Sequence, residues 1–367
     1  MVRESLSGVE QHRLVDEWAN GVELYDVPAV SGLIERGRRV PSLRTAVRCG
    51  AHIRTYAELY GHLDGGAIGA TGPSMDGLAQ LLRTIADSAR TGAVLPLDGC
   101  GIGLSPAALA AAADDRRAVV ADHRPCATDR AFGSAEVRLF ASRWDCADAA
   151  VELLAALADG ATLVLATEAE RTDPAALCEL IASSAATHVV AEAHTLAAIA
   201  DLPAPALPSV RRWDVLGTDC PAIFSGLLRS IAPGSVAGFA YTATEYAGVA
   251  ARGPLDGTGR VRPIPGARVL VLDERLRAVA PGVTGEVYLG GAALTVAAVD
   301  SASEFVTDPY ETGQLARTGA RGHWTADGWL VFDAAESLPV AATSALAESL
   351  DLTELLPGDD DVDYVAA

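Results

Sequence analysis

The chain has 367 residues, half of them apolar, and a formal charge of −20 at pH 7. That is ample material for a core, so global disorder is excluded, and no apolar run reaches the roughly 20 residues of a membrane span. The acidic field repels phosphate backbones and no local basic patch offsets it, so neither nucleic acid nor a membrane is an expected partner. All 28 basic residues are arginine. A chain without lysine has no P-loop lysine and no Schiff-base chemistry. The polar N-terminus lacks the apolar core of a signal peptide, so a cytoplasmic location is expected. The six cysteines (Cys49, Cys100, Cys126, Cys146, Cys178 and Cys220) are scattered and read as small buried apolar residues. His188 and His194 are the only close histidine pair, and their spacing suits no shared metal. No metal site is expected.

In chain order, residues 1–20 read as an amphipathic helix, with Ser7 and Glu10 spaced as a capping box. A helical stretch near 29–37 follows Pro28. Residues 46–64 read as a short hairpin entering a helix that begins at Thr55, and 63–76 as a loop. A helix near 75–90 leads to a strand over 93–97. Ser105 and Pro106 start an Ala-rich helix to Asp115, and the run RAVVAD (117–122) reads as a buried strand. A helix near 145–158 stops at Gly160. A strand over 161–166, a helix opened by Asp173 and Pro174, and a strand over 188–193 come next. A further helix precedes a strand over 211–217. This alternation predicts a mostly parallel sheet with both faces covered. After 235 the texture becomes β-rich, with strands near 267–273, 285–291 and 328–334. Residues 335–367 show no strand pattern and carry Asp359, Asp360, Asp361 and Asp363, an acidic tail.

The organisation expected is therefore a linker-like N-terminal segment over 1–45, an α/β subdomain over 46–235, a β-rich subdomain over 236–334 and the tail over 335–367. Leu6, Val9, Leu14, Val15 and Trp18 would form one apolar helix face. That face either docks on the protein's own core or serves as an interaction element.

The β-rich part carries the most specific motifs. FAYTATEYAGVAARG (239–253) resembles the N-x-Y-G-P-T-E segment of adenylate-forming enzymes. PGVTGEVYLGGAAL (281–294), SEFVTDPY (303–310) and RTGARGHWTADGWLVF (317–332) are similar to further segments of that family, in its order. Earlier segments, among them AVRCGAHIRTYAELYGHLD, TGAVLPLD and DGATLVLA, fit the adenylation domains of nonribosomal peptide synthetases. The resemblance covers about residues 5–333 and implies an α/β fold: an adenylation-type N-terminal core plus a β-rich subdomain. By this resemblance Tyr241 lies where the family places a ring by the adenine, Thr244 where a hydroxyl meets phosphate, and Glu245 where a carboxylate helps hold Mg²⁺, in keeping with magnesium's preference for carboxylate and phosphate oxygens.

The departures from the pattern carry the functional expectation. The family's phosphate loop, T-S-G-T-T-G-x-P-K-G, should lie between 117–122 and 140–145 and is missing. Its ribose-binding Asp corresponds to Ala320, and its hinge Arg to Ala335. The C-terminal subdomain with its catalytic lysine is expected to be absent too. The Asp that holds a substrate ammonium in the family has no unambiguous counterpart. Asp145 and Asp148 are the candidates for a remnant amine site, against a plainer reading as solvated acids at a helix start, and Glu152 keeps the end of that motif. ATP and Mg²⁺ binding is therefore expected to be lost, with no catalytic residue remaining and no cofactor retained.

The expected function is a noncatalytic pseudo-adenylation protein, an accessory or scaffold that binds a peptide-synthetase condensation or carrier domain in secondary-metabolite biosynthesis. The alternative is a binder of a small molecule, amino acid or nucleotide, or an adenylate-forming enzyme with altered activity. A shortened sheet could also expose an edge that makes a homodimer.

Overall fold

The structure is a computed structural model. It describes residues 6–24, 26–64, 73–97, 102–121, 136–142, 147–199, 202, 206–217, 223–297 and 305–333. Asp145, Ala335 and the acidic tail lie outside the described residues, as do Cys100, Cys126, Cys146 and Cys220. Cys49 and Cys178 are buried and outside any disulfide. No described helix is long and apolar enough to cross a membrane.

The chain opens with α1 (Gly8–His12), whose Ser7–Glu10 capping box forms as the sequence predicts. A π-helical turn over Arg13–Glu17 follows, then α2 (Val30–Arg38). The hairpin β1 (Thr45–Cys49) and β2 (His52–Thr55) runs into α3 (Tyr56–Leu63), capped by Thr55 and Glu58. α4 (Pro73–Thr91) leads to β3 (Leu95–Leu97) and β4 (Ile102–Leu104). Next come α5 (Pro106–Ala121), β5 (Val137–Phe140), α6 (Ala147–Asp159) and β6 (Thr162–Leu165). Gly160, at φ +75°, ends α6 in the left-handed region that favours glycine. α7 (Glu168–Thr172) and α8 (Pro174–Ser184) precede β7 (His188–Glu192), and Asp173 accepts from the first backbone N–H groups of α8. α9 (Ala193–Ile199), β8 (Arg212–Leu216) and α10 (Ile223–Ile231) complete the alternating part.

The remainder is β-rich: β9 (Val236–Ala243), β10 (Tyr246–Pro254), β11 (Arg260–Pro263), β12 (Ala267–Leu272) and β13 (Gly285–Gly291). Then follow β14 (Val296–Ala297), β15 (Phe305–Thr307), β16 (Gln314–Trp324) and β17 (Leu330–Phe332).

β1, β6, β5, β7, β8 and β9 pair in parallel, in that spatial order. The sheet runs on antiparallel through β10 and β11 to β17, β16, β13 and β12, so it is continuous across residue 235. The burial of all five residues of β8 fits a parallel strand covered on both faces.

One expectation is overturned. Residues 117–121 belong to α5 and are not a strand. Leu109, Ala112, Ala113, Arg116 and Val120 are buried, a spacing of three and four that belongs to one helix face. The short Val119–Val120 run is too brief to distinguish strand from helix by pattern. The gap assigned to the missing phosphate loop therefore does not begin at a strand, and 122–135 lie outside the described residues.

The apolar face of the N-terminal segment, expected either to dock on the core or to serve as an interaction element, is docked in part. Leu14 and Val15 are 2% and 4% exposed, whereas Val9 is 71% exposed. Arg268 on β12 donates to the Val15 carbonyl at 2.8 Å and to Asn20 Oδ1 at 3.0 Å, and the Val269 N–H donates to the Ala19 carbonyl. The Trp18 ring lies 6.1 Å from that of Trp324 and packs over Gly328, where a Cβ would come within 2.7 Å of the indole. Leu14, Val15 and Ala19 thus join the core while Asp16, Glu17 and Val22 stay exposed, and a buried guanidinium fastens the segment.

Candidate functional site

The site is built where α5 and α6 meet the ends of β5, β7 and β8 beneath the β9–β10 hairpin. Gly248, at φ +69°, lets β10 approach the two helices; a Cβ there would lie 3.4 Å from that of Ala112. The register of β10 on β9 shifts on either side of Val249, as expected at an irregularity that re-aims the chain.

Beneath Gly248 lies a set of buried charges. Arg116 Nε donates to Glu152 Oε2 at 2.6 Å and Arg116 Nη1 donates to Asp214 Oδ2. Their side chains are 5–7% exposed. Arg212, two residues before Asp214 on the same strand face, donates to Asp214 Oδ1 at 2.8 Å. Arg252 on β10 holds both oxygens of Asp115, at 3.1 and 2.7 Å. Burial works to raise the Asp214 pKa, but the Arg116 and Arg212 guanidinium groups outweigh it and hold the carboxyl well below the usual range. Burial likewise works to lower the Arg116 pKa, and Glu152 and Asp214 reverse the sign and raise it. Each charge of this network thus has an opposite charge beside it, as a buried ion set requires, and the Arg252 Nε is left without a hydrogen-bond partner.

Asp148 is the exception. It stands in the first turn of α6, in the wall of the same cavity, and accepts from the Gly248 backbone N–H. Burial pushes its pKa up to about 6, with Glu152 and Glu192 adding to the rise. Asp148 is half-buried and bonded to the Gly248 N–H, which differs from the plainer reading as a solvated helix-start acid. The cavity holds about 30 Å³ between Ala112, Phe140, Val151, Val190, Leu216 and the charged groups. One probe sphere needs about 10–15 Å³, so there is room for a water or two and not for an amino-acid side chain.

The motif residues lie on the same hairpin, on either side of Thr242, which lines the cavity. Tyr241 is 1% exposed. Its ring centroid lies 4.1 Å from that of Phe332 and its hydroxyl bonds Thr318. Burial, with a smaller contribution from Glu245, pushes its pKa up to about 12. Thr244 is exposed at the turn. The Glu245 carbonyl accepts from both the N–H and the hydroxyl of Thr295, at 2.9 and 2.8 Å. Ala320 follows Gly319, which has φ +72°, and its N–H donates to Thr318 Oγ1 at 3.2 Å. The structure thus joins Tyr241, Thr318 and Phe332 in one cluster. Ala320 lies beside Thr318, and Asp148 sits apart with Arg116, Glu152 and Asp214.

These residues do not fit ATP. Tyr241 offers no free ring face to a purine, position 320 offers no carboxylate, and the chain has no lysine. Among the described residues no group of three or more His, Cys, Asp or Glu side chains could hold a metal ion. Sequence reasoning missed Arg116, Arg212, Asp214, Arg252 and Asp115. One signal was available: Arg212 and Asp214 flank Trp213 on a strand with no exposed residue, where charges demand partners.

Residues 117–297 match the family model for AMP-binding enzymes. The novobiocin biosynthesis protein H of Streptomyces niveus is 38% identical over 192 residues, which is 49% of this chain and 31% of that protein. The isonitrile lipopeptide synthase of Mycobacterium tuberculosis is also 38% identical over 192 residues, 7% of its length. The chain thus matches less than a third of each of these relatives. Among solved structures, the nonribosomal peptide synthetase FmoA3 superposes with a TM-score of 0.72 at 18% identity, over 89% of this chain and 44% of that one. The N-terminal subdomain of Klebsiella oxytoca NpsA gives 0.61 at 16% identity, over 84% of this chain and 99% of that one. Motif order, sheet topology and these matches agree: residues 117–297 form an AMP-binding enzyme segment, and the chain has the α/β fold of an adenylation-domain N-terminal core.

Proposed function

We propose that this chain is a noncatalytic adenylation-type protein that acts as an accessory or scaffold for a peptide-synthetase condensation or carrier domain in secondary-metabolite biosynthesis. One observation carries the noncatalytic part. The charged groups under the hairpin bind one another, with Arg116 held between Glu152 and Asp214, and leave about 30 Å³. Forming an acyl-adenylate needs positioned charge aimed at the reacting phosphate; here the positioned charge is spent inside the protein. The sealing of Tyr241 against Phe332 and the Ala at position 320 support the same reading. The partner class is suggested by relatives named for antibiotic and peptide synthesis.

The test is association with separately purified condensation and carrier domains of a peptide synthetase from the same source, read by sedimentation velocity. A complex with a dissociation constant on the order of 10 µM or tighter is expected. Absence of any complex at concentrations of about 100 µM would remove the partner role.

A second reading, a small-molecule binder, rests on Asp148, which has no ion-pair partner among the described residues. It requires a small amine to raise the melting temperature at pH 8, where the carboxyl is ionised, and not at pH 4.

A further inference from the structure

The placement of Arg116 says more than that a buried charge is paired. Its guanidinium reaches inward from α5 and is gripped from two sides: Glu152 on α6 takes Nε at 2.6 Å and Nη2 at 3.4 Å, and Asp214 on β8 takes Nη1. Two carboxylates from separate elements thus present a fork to one planar cation, the geometry in which a guanidinium is recognised most strongly. Apolar walls made by Ala112, Phe140, Val151 and Leu216 surround this charged floor, with room for a water or two beside it. The fork does not depend on Arg116 for its shape. Asp214 is also held by Arg212, at 2.8 and 2.6 Å, and Glu152 sits in the middle of α6.

We propose that Arg116 is a built-in occupant of a guanidinium site, an autoinhibitory contact that closes the pocket to cations from solution. Shortening its side chain opens the Glu152–Asp214 fork to a free guanidinium compound. The walls next to the fork are small, Ala112 and Gly248, so the vacated volume joins the existing cavity instead of being filled by a neighbour. The inference does not depend on a peptide-synthetase partner. It concerns what bars the pocket, and it fails or stands separately from the noncatalytic reading, which is decided by the unaltered chain's own activity.

The test uses the full chain and methylguanidinium chloride, with methylammonium chloride and sodium chloride as controls, at pH 7.5. Arg116→Ala should melt below the wild type and recover with methylguanidinium in a saturable way. By mass action the gain is about 2 °C or more at roughly tenfold excess over the dissociation constant. Wild type, whose site is filled, and Arg116→Ala/Glu152→Gln, whose fork is halved, should show no such gain. If Arg116→Ala is unfolded by itself, methylguanidinium should restore its cooperative transition, and the milder Arg116→Gln should show the saturable gain. A wild type that gains as much as Arg116→Ala overturns the proposal. So does a lack of guanidinium-specific recovery in both Arg116→Ala and Arg116→Gln.

Discussion

The two halves of the sheet use buried arginine in opposite ways. In the parallel half, Arg138 on β5, His188 on β7 and Arg212 on β8 stand in register on adjacent strands, all buried. Their acidic partners, Glu136, Asp159 and Asp214, are local to the same half. The arginines among them are ion-paired, as are Arg116 and Glu152, whereas burial keeps His188 neutral and its Nε2 has no hydrogen-bond partner. In the antiparallel half, β12 has six buried residues and one charge among them, Arg268. That guanidinium pairs with Asp308 at 2.6 Å and reaches out to the Val15 carbonyl and Asn20. One half spends arginine on closing a cleft; the other spends it on fastening the N-terminal segment. In the first the charges find partners within the chain, and in the second one buried donor holds the Val15 carbonyl and the Asn20 side chain.

The contrast can be broken at either end. The largest effect is expected for Arg116→Ala, which strands Glu152 without its charge partner. Breaking a buried pair from one side costs about 3–5 kcal/mol, read by denaturant unfolding. A loss below about 1 kcal/mol would mean that the parallel half does not depend on its internal ion set. Next is Trp18→Ala in the other half. The half-buried ring packs on Trp324 and Gly328, and its loss should cost about 2–3 kcal/mol, somewhat under a fully buried Trp. An unchanged melting temperature would return residues 1–24 to the role of a detachable arm.

Asp148→Asn is expected to stabilise. The folded-state pKa is raised to about 6, so the native protein binds the proton more tightly than the unfolded chain does, and stability falls as pH rises from about 4 to 6. At pH 7 the full penalty is present, and replacing the carboxyl by a neutral amide should return about 1–2 kcal/mol. At pH 4 the gain should vanish. Equal effects at both pH values would show that Asp148 is not held against its charge. The smallest effect is expected for Thr244→Ala, within about 0.5 kcal/mol, because the side chain is exposed at a turn. A larger loss would give this motif position a structural role.

Much of the fold was legible because local signals agreed with the long-range pairing. The Ser7–Glu10 and Thr55–Glu58 boxes, the Asp173 cap and the apolar run of β7 each act within a few residues. Residues 117–121 misled because a two-valine run has no period, whereas the helix is decided by its contact with α6 and β10. The site was legible only where a motif marked it. A motif singles out Asp148 and Tyr241, but nothing local shows that the Gly248 N–H would bond the one and Phe332 pack on the other. Arg116 meets Asp214 across 98 residues of sequence, and Arg252 meets Asp115 across 137. Pairings that long leave no trace in spacing.

The most direct measurement is ATP–pyrophosphate exchange by the wild-type chain with Mg²⁺ and each standard amino acid in turn. A cleft whose charges are already paired should give no exchange above background with any of them. Reproducible exchange with one amino acid, lost in Glu245→Ala, would show that Tyr241, Thr244 and Glu245 still serve a nucleotide, and would contradict the central claim.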